Sequence, residues 1–223
     1  MSGVGDQAGF PGRNSDAAPV AVVLAAGASS RMGRSKALLD FGGLTCLELV
    51  LSSCAAAGLQ HVVVVTAPAD EAVRAAAAYP GLKVTLAVNP APERGMLSSL
   101  QEGLGALPHG AAAFLIFPVD FPLAPAAAIR RLCAAFAGRS AGQRIFVPSF
   151  AMRRGHPVLL DAALASELRA LDPSASARVV VQAHAAEIVH LEADDDRVLM
   201  DMDTPEDYQR CLARYLGDRG SEP

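Results

Sequence analysis

Three kinds of side chain at well-separated positions define the chemistry open to this chain. A run of small residues, Ala25 to Ser30, is followed by three cations within six positions: Arg31, Arg34 and Lys36. Far downstream stand Asp120, held between Pro118 and Pro122, and the pair Asp201 and Asp203. Small residues let main-chain N–H groups come close to a ligand, and Gly27 and Gly33 take conformations that other residues avoid. Exposed N–H groups beside fixed cations suit phosphate. A carboxylate near such a loop is a natural ligand for Mg²⁺, which prefers one or two carboxylates together with phosphate oxygens. This constellation fits metal-assisted phosphoryl or nucleotidyl transfer, in which positioning and charge neutralisation do most of the catalysis. Each feature also has a plainer reading: a Gly/Ala/Ser loop that binds nothing, an Asp120 that caps a turn, an Asp203 that supports the helix after it.

Other chemistries are excluded by spacing. Five residues separate Gly27 from Gly33 and Arg34 follows, so there is no G-x-x-x-x-G-K-[ST] and no G-x-G-x-x-G. No G-x-S-x-G is present, and no cysteine has a histidine at hand for a nucleophile–base pair. Cys46, Cys54, Cys133 and Cys211 form no C-x-x-C and read as small apolar filler in a reducing compartment, the cytoplasm. A net charge of −4 argues against nucleic-acid binding through a basic surface, while Arg31 to Lys36 still offers local positive charge to a triphosphate. No stretch of about 20 apolar residues is present to span a membrane.

The elements that must position these residues read as alternating strands and helices. Val20 to Leu24 is an apolar run fit for a buried parallel strand. Thr45-Cys46-Leu47-Glu48 fits a capping box opening a helix to about Ala57. Further strands are expected at 61–66, 83–88, 113–117, 145–148, 158–160, 187–191 and 198–200. Helices are expected at 70–78, 96–106, 125–137, 161–171 and 176–184, and a last one opens at Thr204-Pro205. The opening β-α-β-α-β pattern predicts a parallel sheet with helices on both faces. Ligands of such sheets sit outside the carboxyl ends of the strands, where the loop after Leu24 and Asp120 both fall. Asp201 and Asp203, on one side of an extended chain after the last strand, reach the same edge. His156 lies between Gly155 and Pro157 in a loop placed to close over substrate, and the other four histidines are assigned no role. Residues 1–18 read as a mobile tail, 19–217 as a single domain and 218–223 as a short flexible end.

These residues together resemble a known family. Leu24-Ala25-Ala26-Gly27-x-Ser29-x-Arg31-Met32-Gly33-x-x-Lys36 is similar to the signature of the molybdenum cofactor cytidylyltransferases and the wider MobA-like NTP transferases. The likeness continues through Asn89, Gly95, Ser98, Ser99 and Gly103, then Pro118-Val119-Asp120-x-Pro122, Gly155-His156-Pro157 and Asp201-x-Asp203-Thr204-Pro205-Glu206-Asp207, covering Val20 to about Leu216. It implies a Rossmann-like three-layer α/β/α sandwich of the nucleotide-diphospho-sugar transferase type, with a mostly parallel sheet. It implies transfer of a nucleoside monophosphate from an NTP to a phosphate monoester, with release of pyrophosphate. By the same resemblance Leu24, Ala25, Ala26, Gly27, Ser29, Arg31 and Lys36 bind the nucleotide, with Arg31, Lys36 and Asp120 catalytic. Asn89, Gly95, Ser98 and Ser99 shape its pocket, Asp120 and Asp203 hold Mg²⁺ (or Mn²⁺), and Gly155 and His156 face the acceptor.

The cytidylyl branch has Leu-Ala-Ala-Gly where the guanylyl branch has Leu-Ala-Gly-Gly, and the extra methyl of Ala26 disfavours a purine; CTP is the expected donor and molybdopterin the expected acceptor. Transient contact with a molybdoenzyme or its chaperone follows from that role. Two departures fall at the acceptor side: Phe121 replaces a common Gln, and Ser176-Ala177-Arg178 replaces Gly-Ala-Arg. GTP as donor, a sugar or polyol phosphate as acceptor, and a delivery module without turnover are the alternatives.

Overall fold

The structure, a computed structural model, describes residues 18–27 and 35–220. Its centre is β1, Val20–Leu24, in which every residue is buried. Alternation sends Ala21 and Val23 to one face of the sheet and Val20, Val22 and Leu24 to the other. Both faces need cover, and helices supply it.

In chain order, β1 is followed by a 3₁₀ turn at Lys36–Leu38 and α1, Cys46–Ala56. Next come β2, His61–Thr66; α2, Glu71–Ala76; β3, Lys83–Val88; and α3, Met96–Gly105. Then β4, Ala113–Pro118, leads to α4, Ala126–Ala137. The strands β5, Ile145–Phe150, β6, Arg153–Arg154, and β7, Val158–Asp161, follow, then α5, Ala165–Ala170, and α6, Arg178–Ala183. The chain closes with β8, Ile188–Glu192, and α7, Pro205–Gly220. The eight-stranded sheet has the order β3-β2-β1-β4-β7-β5-β6, with β8 added beside β5. β3, β2, β1 and β4 are mutually parallel, as the opening pattern predicts, while β7 runs antiparallel to both β4 and β5.

α1, α2, α4 and α7 pack on the Ala21/Val23 face, and α3, α5 and α6 on the Val22/Leu24 face, giving the three-layer α/β/α sandwich. α3 lies so close to the sheet that a Cβ on Gly103 would stand 2.4 Å from Val22 Cγ1 and 2.9 Å from Val65 Cγ2. That contact fixes the height of α3, and hence of its first turn, above the end of β1. The capping box of α1 forms as expected: Thr45 Oγ1 accepts from Glu48 N at 3.2 Å and Glu48 Oε2 accepts from Thr45 N at 2.6 Å. All four cysteines are buried free thiols.

Three local expectations are corrected. Residues 198–200 do not form a strand: Asp196–Leu199 is a 3₁₀ turn, because Asp195 Oδ1 takes the Arg197 N–H at 2.9 Å and its other oxygen holds the Arg197 guanidinium. Local hydrogen bonding of this kind outcompetes an extended strand. No strand is expected between 148 and 158, yet Arg153–Arg154 forms the short strand β6, paired with Ser149 and Phe150 of β5. The expected helix from Asp161 opens as a 3₁₀ turn, Ala162–Leu164, with the Asp161 side chain accepting from Ala163 N.

Candidate active site

The first loop leaves β1 at Leu24, and Ala25 N–H is held by the Val65 carbonyl at 2.9 Å. β4 ends beside it with Pro118, in register with Leu24, so Val119 and Asp120 enter the same edge. Leu24, Ala25, Ala26, Gly27, Lys36, Gly95, Ser99 and Asp120 line one cavity of about 280 Å³, together with Ser35, Pro92 and Met96. Residues separated by nearly a hundred positions thus meet at the carboxyl ends of β1 and β4. Ser29 and Arg31 lie outside the described residues.

Lys36 crosses this cavity. Its Nζ donates to Asp203 Oδ1 at 2.8 Å and stands 3.6 Å from Asp120 Oδ2. The other oxygen of Asp120, Oδ1, is buried with no hydrogen-bond partner. Burial pushes the Asp120 carboxyl above its ordinary range; the Lys36 charge pulls it back, while Asp203 and, more weakly, Asp201 push it further up. A buried carboxylate with an orphaned oxygen and a second carboxylate nearby is a donor set suited to a divalent cation. Cys46 Sγ lies 2.9 Å from the Val119 carbonyl, and burial raises its thiol well above the usual range, so it acts as filler under Asp120.

Asp203 is placed by the start of α7. Asp207 Oδ2 accepts from Asp203 N at 3.2 Å and from Thr204 N and Oγ1 at 2.9 Å, while Thr204 Oγ1 accepts from Asp207 N. This closed set satisfies the free N–H groups of the first turn and holds the main chain of Asp203. Met202, between Asp201 and Asp203, is buried, and Lys36 pairs with Asp203.

Asn89 and Ser98 stand behind the cavity wall. Asn89 Nδ2 donates to Ser98 Oγ at 2.8 Å and to Ser99 Oγ at 2.9 Å, and its Oδ1 accepts from Ala91 N. With its amide committed on both sides, Asn89 ties the loop after β3 to the first turn of α3. Ser98 Oγ is turned back to the Gly95 carbonyl at 2.7 Å, and Gly95 itself takes φ 108°, open to glycine and costly for other residues. Gly155 and His156 are outside the cavity but adjoin it: the His156 ring lies 4.6 Å from Phe121, the neighbour of Asp120.

Sequence reasoning missed Ser35, whose buried Oγ has no partner beside Lys36, and Met96, an exposed apolar lip. The small-residue run gave no reason to look past Ser30, and Met96 looked like an ordinary first helical residue. A larger cavity of about 470 Å³ lies between α1, the start of α4 and the end of α7; it holds none of the expected site residues.

The start of the small-residue loop, a lysine and two carboxylates meet at the carboxyl edge of the parallel strands, in an α/β sandwich of the nucleotide-diphospho-sugar transferase type. Residues 21–188 match the MobA-like NTP transferase domain, and the chain belongs to that family of nucleotidyltransferases. It is 32% identical to nicotine blue oxidoreductase of Paenarthrobacter nicotinovorans, across 86% of this chain and 95% of that one. It is 30% identical to a molybdenum cofactor guanylyltransferase of Xanthomonas euvesicatoria, across 86% of this chain and 93% of the relative. Among solved structures, Rv0371c of Mycobacterium tuberculosis H37Rv superposes with a TM-score of 0.74 at 30% identity, covering 88% of this chain and 98% of that one. A complex of that protein with manganese superposes with a TM-score of 0.70 at 28% identity, covering 88% and 98%.

Proposed function

We propose that this nucleotidyltransferase moves CMP from CTP to a phosphate monoester of the molybdopterin type, in a reaction that depends on Mg²⁺ and accepts Mn²⁺ in its place. The observation that carries the reading is the bridge from Lys36 to Asp120 and Asp203 at the mouth of the small-residue loop. An ammonium between two carboxylates marks a place built to hold positive charge, and a triphosphate would draw the lysine to its own oxygens. Asp120 and Asp203 would then hold the cation, completed by phosphate oxygens and water. The cation, when bound, would neutralise charge on the transferring phosphoryl group. Lys36 would bind the same group from the loop side, and residues 24–27 would offer main-chain N–H groups.

The acceptor phosphate oxygen attacks the α-phosphorus of CTP as the bond to the bridging oxygen breaks, and pyrophosphate leaves. A phosphate monoester has a second pKa of about 6, so it is already largely ionised at neutral pH and needs no base from the protein. Ala26 supports the choice of a pyrimidine: it is buried in the wall of the cavity, and its methyl would narrow the space for a guanine packed there. GTP remains the competing donor, since relatives at similar identity are named as guanylyltransferases, and a sugar or polyol phosphate the competing acceptor. Four buried thiols and this substrate class fit the cytoplasm, with transient contact to a molybdoenzyme or its chaperone.

The experiment is thermal stability with CTP, GTP, ATP and UTP, each with and without Mg²⁺, followed by pyrophosphate release with molybdopterin. A ligand at about 100 times its dissociation constant adds about 2.7 kcal/mol. A Mg²⁺-dependent shift with CTP alone supports the reading, and a shift with GTP that exceeds it moves the donor. The absence of any nucleotide shift, with or without acceptor, overturns it.

A further inference from the structure

Outside the lining of the nucleotide cavity, a second contact joins the two ends of the chain that supply Lys36 and Asp203. The 3₁₀ turn at Lys36–Leu38 runs on into a short hairpin that folds back on the start of α1. Phe41 N–H donates to the Leu44 carbonyl at 2.7 Å, Cys46 N–H to the Leu39 carbonyl at 2.9 Å and Gly43 N–H to Asp40 Oδ1 at 2.9 Å. Asp40 faces Thr45 in an antiparallel bridge between the first two of these bonds, and a residue in that position turns its own carbonyl away from the partner strand. The Asp40 carbonyl accepts instead from the hydroxyl of Tyr208, on α7, at 2.5 Å.

Ring packing accompanies the bond. Phe41 is fully buried and stands edge-on to Tyr208, with ring centroids 5.6 Å apart, and edge-on to Tyr215, two turns further along α7, at 5.8 Å. Gly42, at φ 73°, brings the hairpin so near the helix that a Cβ there would stand 3.1 Å from Leu216 Cδ2. Apolar contact is non-directional: it sets the spacing of hairpin and helix but lets one slide along the other. The hydroxyl-to-carbonyl bond is directional and fixes their register.

Asp40 is four positions beyond Lys36, and Tyr208 five beyond Asp203. The Tyr208 bond and the Lys36–Asp203 pair at 2.8 Å therefore close one circuit between hairpin and helix. A nucleotide acts on the two links differently. It draws the ammonium to its phosphates and so dissolves the pair, while the hydroxyl bond involves no charge that a triphosphate would compete for. The Asp207 side chain then ties the main chain of Asp203 to α7, and Tyr208 ties α7 to the hairpin. We propose that Tyr208 is a positioning residue for the cation site: through the Asp40 carbonyl it holds Asp203 within reach of the cation shared with Asp120 once Lys36 has turned to the triphosphate. The role rests on the nucleotidyltransferase reading above, while the hold on Asp203 is measurable without nucleotide.

Lys36→Gln removes the ion pair permanently, and Mn²⁺ alone is the probe, its free fraction followed by electron paramagnetic resonance as it is titrated into the full chain. Tyr208→Phe keeps the ring against Phe41 and deletes the hydroxyl. Tyr215→Phe alters the other ring on Phe41, takes no part in the Asp40 bond and is the matched control. In the Lys36→Gln chain, Tyr208→Phe should weaken Mn²⁺ by about tenfold, the lower end of what losing a group that supports a metal ligand costs, and Tyr215→Phe should leave it unchanged. With Lys36 present, Tyr208→Phe should raise the Mn²⁺ concentration for half-maximal turnover by a similar factor, and excess Mn²⁺ should restore the rate. A lowered melting temperature in Tyr208→Phe with unchanged Mn²⁺ affinity, an equal loss in Tyr215→Phe, or no Mn²⁺ binding to the Lys36→Gln chain would overturn the role. Weaker Mn²⁺ binding in Tyr208→Phe, in a protein whose parent shows no CTP-induced thermal shift, would instead overturn the nucleotidyl-transfer reading and leave Tyr208 as the support of Asp203.

Discussion

Lys36 and Asp203, separated by 167 positions, are joined by a hydrogen bond of 2.8 Å, and the same ammonium lies 3.6 Å from Asp120. This relationship closes the site from two ends of the chain. Lys36→Gln and Asp120→Asn should each lower turnover by about 10²–10³, the range for loss of one charge-stabilising group. Asp120→Asn should fold normally and melt at or above the parent temperature, because burial already opposes its charge. Turnover in Asp120→Asn within a few-fold of the parent would remove Asp120 from the machinery.

Asp203 owes its place to Asp207. Asp207→Asn should leave the N–H groups of Asp203 and Thr204 with a weaker acceptor, costing about 1 kcal/mol as a lost cap does. Turnover should fall with it, though less than in Asp203→Asn. Urea melts and initial rates on the same preparations check both; a stability loss with no change in rate would separate the cap from the site.

α3 has no room to approach the sheet more closely. Gly103→Ala should cost about 1–3 kcal/mol by overpacking against Val22 and Val65. The displaced first turn carries Ser99, so nucleotide affinity should weaken as well. A parental melting temperature in this variant would show that the valines can give way.

His156 makes stability depend on pH. Burial first, then the Arg178 charge, lower its pKa from 6.5 to about 4, against an opposing main-chain hydrogen bond at Ile116. A lowered histidine pKa means the fold prefers the neutral ring. Its contribution is complete above pH 6.5, declines as pH falls through that value, and is gone by about pH 4. The span corresponds to about 3 kcal/mol. The fall in stability between pH 7.5 and pH 4.5 should be smaller in His156→Asn than in the parent; identical slopes in chemical denaturation would refute it.

The hairpin tip is the place where stability can be gained. Ala151 and Met152 take φ of 47° and 65°, and such two-residue turns favour Asn-Gly. Ala151→Asn with Met152→Gly should raise stability by about 1 kcal/mol. Denaturation midpoints compare the two chains, and an unchanged or lower midpoint would show that the left-handed turn is not under strain.

The sequence by itself determined the ends of β1 and β2, the capping box at Thr45 and the layered architecture. These follow from local rules: a short unbroken apolar run bounded by turn residues reads as a strand buried on both faces, and Thr-x-x-Glu at a helix start satisfies its own N–H groups. The tertiary structure decided what local rules cannot reach. The reversal of β7 depends on which strand edge was left open beside β4. The turn at Asp196–Leu199 replaces a strand because the side chain of Asp195 supplies a competing hydrogen bond. The choice of Asp203 as the partner of Lys36 rests on the cap built by Asp207, and the commitment of Asn89 to Ser98 and Ser99 is visible only once β3 and α3 are packed. Arg154 and Arg153 are alike in sequence, and only the register of β6 on β5 turns one toward His190 and the other away, because a strand sends successive side chains to opposite faces.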